Sequence, residues 1–438
     1  MAAPNMPGQK TNSVAGSVVR VSIGNFLEMY DFMVFGYYAA DIGRTFFPNS
    51  NPFASLMLSL TTFGAGFLMR PLGAIVLGNY IDRHGRRKGL ILTLWLMAFG
   101  TLSIACAPGY ATIGIAAPLL VLVGRLVQGL SAGVEVGAAS VYLSEIATPG
   151  RIGFYTSWQS TSQQVAVMFA ALLGFWLTPR WGWRAPLLAG CMLIPFLFWV
   201  RSSLLETEAF LARKLRPSMR EIGATMLAHW RLVALGMLLS ALTTVSFYMI
   251  TAYTPTFGSS VLHLASRQNL LVTFCVGASN FVLVPVMGAL SDKIGRRPQL
   301  AASAILALLT ATPLYIWLVA SPSIPKLLFV ELWFSLIFAS CSGAMVPFLT
   351  EIMPASVRTT GYSLAFSLAT AIFGGFTPAI STALIGATGS RAMPALWLSV
   401  AAILTLIAVA ALKGVSQQSR GPEDPMYELA ARQRYKQS

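Results

Sequence analysis

Apolar runs long enough to cross a bilayer recur from one end of this sequence to the other. A spanning helix takes about 20 predominantly apolar residues. Twelve such runs stand along the chain, the first at 18–42 and the last at 392–413. In hydrocarbon every backbone N–H and C=O must be satisfied internally, so runs of this length fold as helices. The 438 residues are 55% hydrophobic and only 10% charged, where ordinary soluble domains are about 25% charged. That balance excludes a water-soluble enzyme, a disordered chain and a disulfide-stapled secreted domain. The expected fold is an all-α integral membrane protein of about twelve transmembrane helices. Cys106, Cys191, Cys275 and Cys341 each lie inside an apolar run, with no disulfide framework or metal-ligand spacing, and are expected as small core residues. Residues 1–17 are polar and the first run carries Glu28 and Asp31, so no cleavable signal is expected.

One link alone is long and charged, that between the sixth and seventh runs, with Glu206, Glu208, Arg213, Lys214, Arg216, Arg220 and Glu221 around Pro217. It divides the chain into a tail at 1–17, a six-helix half at 18–204, a linker at 205–230, a second six-helix half at 231–413 and a tail at 414–438. If the N-terminus is cytoplasmic, 22 of the 30 lysines and arginines fall in cytoplasmic segments. Six fall outside, and Arg70 and Arg125 lie within helices. The bias predicts that both termini and the linker are cytoplasmic. The net charge of +15 then records topology and attraction to anionic lipid; no nucleic acid partner is expected.

The two halves repeat. After the second run stands Gly78-Asn79-Tyr80-Ile81-Asp82-Arg83-His84-Gly85-Arg86-Arg87, and after the eighth Gly288-Ala289-Leu290-Ser291-Asp292-Lys293-Ile294-Gly295-Arg296-Arg297. Both read G-x-x-x-D-[RK]-x-G-R-R, a loop between runs. A second pair, Glu145 to Arg151 and Glu351 to Arg358, follows the fourth and tenth runs. Such parallel six-helix repeats place a substrate site near the midplane between the halves.

This loop signature resembles that of the major facilitator superfamily, and the repeat covers nearly the whole chain. Arg125-Leu126-Val127-Gln128-Gly129 is similar to the family's fourth-helix proton-coupling motif. Gly24-Asn25-Phe26-Leu27-Glu28-Met29-Tyr30-Asp31-Phe32 resembles the first helix of the metabolite–proton symporters, departing at Met29. Tyr142-Leu143-Ser144-Glu145-Ile146-Ala147-Thr148-Pro149-Gly150 and Ser363 to Gly375 resemble the bacterial citrate–proton and tricarballylate–proton symporters. The resemblance implies two pseudo-symmetric halves in a bacterial inner membrane and uptake of a tricarboxylate with protons by alternating access. It implies the proton as coupling ion and no other cofactor, with the chain working as a monomer. The alternatives are a symporter for tricarballylate or a dicarboxylate, and a channel or non-transporting sensor.

Charges inside a bilayer cost about 2.5–3.5 kcal/mol each on insertion scales and are functional suspects. Here they are Glu28, Asp31, Arg70, Arg125, Glu135 and Glu331. At about 100° per residue, Asn25, Glu28 and Asp31 share one helix face, and Arg125, Gln128 and Glu135 share another. Arg125 is the first ligand candidate, because a guanidinium gives a carboxylate two parallel hydrogen bonds and stays charged; the alternative is a pair with Glu135 or Asp31. Arg70 is either a second ligand or the partner of Glu28. Asp31, Glu135 and Glu28 are the candidate proton carriers, against permanent salt bridges. Asn25, Gln163, Tyr253 and Asn280 are candidate substrate contacts, amides being costly in lipid unless satisfied. Asp82, Arg86, Arg87, Glu145, Arg151, Asp292, Arg296, Glu351 and Arg358 lie at the membrane surface and read as a conformational latch between halves, against simple positive-inside topology. No catalytic residue and no metal site is expected. Pro255, Pro285, Gly374-Gly375 and Pro378 are expected to interrupt helices.

Overall fold

The computed structural model describes residues 26–84, 86–133, 135–202, 228–354 and 358–412. Asn25, both tails and most of the 205–230 linker lie outside the described residues. The side chains of Asp82, Arg86, Arg87 and Glu135 do so as well.

All of the regular structure among the described residues is helical. The first half comprises α1 (Phe26–Tyr37), α2 (Ala39–Phe46), α3 (Pro52–His84), α4 (Arg86–Cys106), a single turn α5 (Tyr110–Ile113), α6 (Ala116–Ala132), α7 (Glu135–Glu145), α8 (Ile152–Trp181) and α9 (Arg184–Ser202). The second comprises α10 (Trp230–Val261), α11 (Ser266–Ile294), α12 (Arg296–Ala320), α13 (Ile324–Ile352), α14 (Arg358–Thr388) and α15 (Pro394–Ala411). With α1/α2 and α6/α7 each forming one crossing, these helices make twelve crossings in two groups of six. Eight of them are long and apolar enough to span a membrane unaided, and three shorter apolar helices, Ile91–Cys106, Ala116–Ala132 and Arg184–Pro195, fill places in the same pattern.

Three expectations are corrected. The first run is not a single helix: Tyr38 leaves helical geometry at φ −108°, ψ 21° between α1 and α2. The repeated Gly-to-Arg signature is not a loop. α3 has 33 residues, about 50 Å at 1.5 Å per residue, which exceeds a hydrocarbon core of about 30 Å. Asp82 therefore lies on its last turns, as Asp292 lies on those of α11. In the second copy the chain leaves the helix at Gly295, whose φ of 93° suits a residue without Cβ. The cysteines are not uniformly core: Cys341 is buried but Cys106 and Cys275 are exposed. In a spanning helix an apolar neighbourhood marks the lipid face as well as the core.

Prolines shape α10 and α14. A proline lacks an N–H and crowds the carbonyl four residues earlier. Pro255 and Pro378 place that carbonyl at Thr251 and Gly374, inside π-helical turns at Met249–Tyr253 and Thr370–Gly374. Pro285, by contrast, sits within an unbroken α11. Polarity runs inside-out. Arg125, Gln128, Gln164, Asn269 and Asn280 are fully buried, while Leu68, Trp95, Phe99, Trp176 and Leu309 are exposed, as a lipid-facing surface requires.

Among the described residues the halves meet along several seams. Glycines set the spacing of α8 on α11, where Gly153 lies against Gly288 and Gly277 against Met168. On the α3–α14 seam Gly375 receives Phe67, Gly64 receives Phe376 and Gly386 receives Phe53. Gly36 of α1 touches Ala252 of α10, and Gly137 of α7 faces Ser363 of α14. Contacts between halves thus occur toward both ends of the bundle.

Within the first half, α3 and α6 pack backbone to backbone. A methyl group on Gly129 would strike the Gly66 carbonyl, one on Gly73 the Leu130 carbonyl, and one on Gly133 the Arg70 carbonyl. Small residues at such crossings let membrane helices approach closely. Gly129→Val is expected to destabilise the protein by about 1–3 kcal/mol or more, the cost of overpacking, read as a lowered denaturation midpoint of the purified protein. An unchanged midpoint would show that this contact is not as tight as described.

Candidate functional site

The α3–α6 contact fixes what surrounds it. Arg70 lies four residues after Gly66 and Arg125 four before Gly129, so each guanidinium projects from the close-packed face toward α1. Arg125 is fully buried, and Asp31, Arg70 and Glu28 are nearly so. Arg70 Nη2 donates to Glu28 Oε1 at 3.0 Å. Arg125 Nη1 stands 3.6 Å from Asp31 Oδ2 and donates to Gln128 Oε1 at 2.8 Å. The Gln128 amide donates in turn to Asp31 Oδ2 and, at 3.2 Å, to Thr101 of α4. One amide therefore couples cation to carboxylate.

Phenyl rings enclose the arginines. Arg125 lies 4.4 Å from the Phe32 centroid, 4.5 Å from Phe35 and 5.2 Å from Phe63. Arg70 lies 4.9 Å from the Phe32 centroid and 4.6 Å from that of Phe67. A desolvated guanidinium gains about 2 kcal/mol over a ring face, which offsets part of the cost of burial. Tyr248 of α10 closes this cage from the second half, 5.1 Å from Phe67 between ring centroids.

Unused hydrogen-bonding capacity points the same way. Among the described residues, Arg125 Nε and Nη2 have no hydrogen-bond partner, nor has Asp31 Oδ1. Nε and Nη2 form one edge of the guanidinium, the edge that takes a carboxylate with two parallel bonds. Both amide atoms of Asn280 and of Gln164 are likewise buried and unpartnered. Such orphans are costly unless a second arrangement or a ligand satisfies them.

Asp31, Glu28, Arg70 and Arg125 are thus brought together. Tyr253 is not free: its hydroxyl pairs with Thr382 of α14 at 2.9 Å. Gln163 is buried on α8. Sequence reasoning did not single out the phenyl cage; the spacing of Phe32 from Phe35 and of Phe63 from Phe67, three and four residues, was the available sign. Nor did it reveal Thr101 or Tyr248.

At the end of the bundle that bears the repeated signature, Asp292 joins the halves. Its oxygens accept from the backbone N–H of Gly153 at 2.8 Å and of Phe154 at 3.0 Å, capping α8, whose own N-cap residue Arg151 supplies no such bond. Arg296 holds Asp292 at 2.7 Å and Glu351 at 3.3 Å. Glu145 and Arg151 are exposed, and Arg358 at the start of α14 is half-buried.

Two six-helix groups closing on a buried, incompletely satisfied charge cluster define a secondary transporter. The chain belongs to the Major Facilitator Superfamily, whose model matches residues 21–378. It is 57% identical over 418 residues to a citrate-proton symporter of Salmonella typhi, covering 94% of this chain and 96% of that one. It is 57% identical over 401 residues to a citrate-proton symporter of Klebsiella pneumoniae, covering 90% of each. An alpha-ketoglutarate permease of Escherichia coli strain K12 is 35% identical over 378 residues, with 82% and 84% covered. Among solved structures, a D-xylose-proton symporter superposes with a TM-score of 0.71 at 16% identity over 92% of this chain and 98% of that one, a likeness of fold alone.

Proposed function

We propose that this protein is a proton-coupled symporter that imports citrate or a close tricarboxylate by alternating access. The observation that carries the reading is the unpartnered Nε–Nη2 edge of buried Arg125, whose remaining nitrogen is tied through Gln128 to Asp31. That edge is a carboxylate receptor, and Asp31 is a carboxylate of the protein's own competing for the same cation. The names of the two 57% identical relatives support the substrate. The permease relative supports a dicarboxylate as the alternative. Competition against uptake of radiolabelled citrate into proteoliposomes decides: citrate is expected to compete best, succinate and 2-oxoglutarate less, and sugars not at all. Equal competition by a neutral sugar would sink the reading.

Protons are needed for energetic reasons. Each negative charge carried against an inside-negative potential costs about 2.3 kcal/mol per 100 mV, and a tricarboxylate brings up to three. Co-transported protons cancel that charge. This separates a symporter from a channel or a sensor, and no further cofactor and no catalytic step is invoked. The chain works as a monomer in a bacterial inner membrane. The lysine and arginine bias supports cytoplasmic placement of both tails, the 205–230 linker and the Asp292 end, with 18–204 and 231–413 as the moving halves. A reporter fused after Ser438 reads that side directly.

Asp292 then acts as a latch that holds the halves together at the cytoplasmic end. A carboxylate at a helix N-terminus contributes up to about 2 kcal/mol in partly buried geometry. Removing 1–2 kcal/mol changes a two-state ratio by about 5- to 30-fold. Asp292→Asn should therefore slow transport within that range while leaving the citrate KM within a few-fold. A collapsed affinity with an unchanged rate would refute the latch.

A further inference from the structure

One buried carboxyl lies outside the charge cluster and has no cation. Glu331 of α13 is 3% exposed, and among the described residues no lysine, arginine or histidine pairs with it. Its Oε1 accepts from Thr254 Oγ1 of α10 at 2.9 Å, while Oε2 has no partner. Tyr315 of α12 lies within its electrostatic reach, and Tyr253 of α10 lies within that of Tyr315. Among the described residues, no charged side chain on any element packed against it forms an ion pair with Glu331. A carboxyl so placed tolerates the neutral, protonated form far better than a bare charge. Glu331 lies seven residues into α13, about 10 Å from its first residue, toward the end of the bundle opposite Asp292.

What Glu331 touches is the irregular part of α10. Thr254 sits between the two π-helical turns Met249–Tyr253 and Phe257–Val261, and such turns concentrate at functional sites. Two residues on, Thr256 Oγ1 donates to the Gly36 carbonyl of α1 at 3.0 Å, crossing between the halves.

We infer that Glu331 is a second proton-binding site, whose unpartnered Oε2 takes a proton from the side opposite Asp292 and whose charge state is transmitted through Thr254 and Thr256 to the α10–α1 contact. The inference rests on the proposed import of a polyanion, for which one carboxyl in the first half cannot carry enough protons to cancel the charge. The proton binds and leaves as H⁺ from water, with no other bond made or broken. In the charged form Thr254 donates to the carboxylate. Once Oε2 is protonated that hydrogen bond weakens, and α10 is released to repack.

The test uses the full-length protein in proteoliposomes with radiolabelled citrate. Glu331→Gln should keep exchange of internal for external citrate, yet move about one proton fewer per citrate. At a pH difference of one unit its limiting accumulation should then fall about tenfold, the value of one proton's share of that gradient. An unchanged proton ratio, or exchange lost together with accumulation, overturns the inference. If Glu331→Gln does not reach the membrane, Thr254→Val decides. Losing a donor that favours the charged carboxylate should displace the pH profile of accumulation toward alkaline pH without altering the citrate KM, and an unmoved profile overturns the inference. Wild-type protein that fails to exchange citrate at all would refute the proposed substrate, a separate outcome.

Discussion

Arg125→Lys is expected to raise the citrate KM by about 5- to 150-fold, and Arg125→Ala to abolish uptake. Lysine keeps the positive charge but offers a point donor in place of the planar Nε–Nη2 edge. The loss is that of one strong charge-assisted interaction, about 1–3 kcal/mol, which is the quoted range in affinity. The alanine variant also leaves Asp31 buried without its cation, and breaking a buried pair costs about 3–5 kcal/mol. Its insertion and monodispersity must therefore be measured beside its transport, whereas the lysine variant isolates the fork. A wild-type KM in Arg125→Lys would mean that the substrate does not use that edge.

Asp31→Asn is expected to lower pH-driven accumulation of citrate sharply while sparing exchange. Ionised Asp31 stands against Arg125 and competes with the substrate's carboxylate; protonated Asp31 does not. Proton and substrate therefore favour each other's binding, and by linkage the effect is reciprocal. In wild type, lowering the pH on the side of entry should lower the citrate KM. In Asp31→Asn the KM should be low and nearly independent of pH across the range in which wild type responds. Glu28 is a weaker candidate carrier, since its bond to Arg70 at 3.0 Å is direct and lies off the Arg125 edge. If Asp31→Asn retained accumulation and Glu28→Gln lost it, the roles of the two carboxylates would be reversed.

The repeats made the architecture legible before any coordinates. Twelve apolar runs and a duplicated Gly-to-Arg signature leave few folds open, because lipid admits only helices or closed barrels. The charges of the site were legible for the same reason: in so apolar a chain Asp31, Arg70 and Arg125 stand out by cost alone. Their partners were harder. Helical phase groups residues on one helix but says nothing of which helix faces it, so Arg125 had both Asp31 and Glu135 as possible partners. The phenyl cage was hidden because phenylalanine is ordinary in a membrane helix, and only the α3–α6 glycine contact makes Phe32 a shared neighbour of two guanidiniums. Asp292 stands out in the sequence through the repeated signature, but its place as a cap on α8 requires knowing that α8 and α11 pack side by side. The cysteines misled for a related reason, since the apolar runs around Cys106 and Cys275 turn out to face outward.

The central claim is that tricarboxylate and protons cross together, and proton flux on substrate addition tests it most directly. Purified protein is reconstituted without a pH gradient, with potential clamped and a pH-sensitive dye inside. Adding citrate outside should acidify the lumen at a rate proportional to radiolabelled citrate uptake, and Asp31→Asn should take up less proton per citrate than wild type. Citrate entry with no change in internal pH would contradict the account.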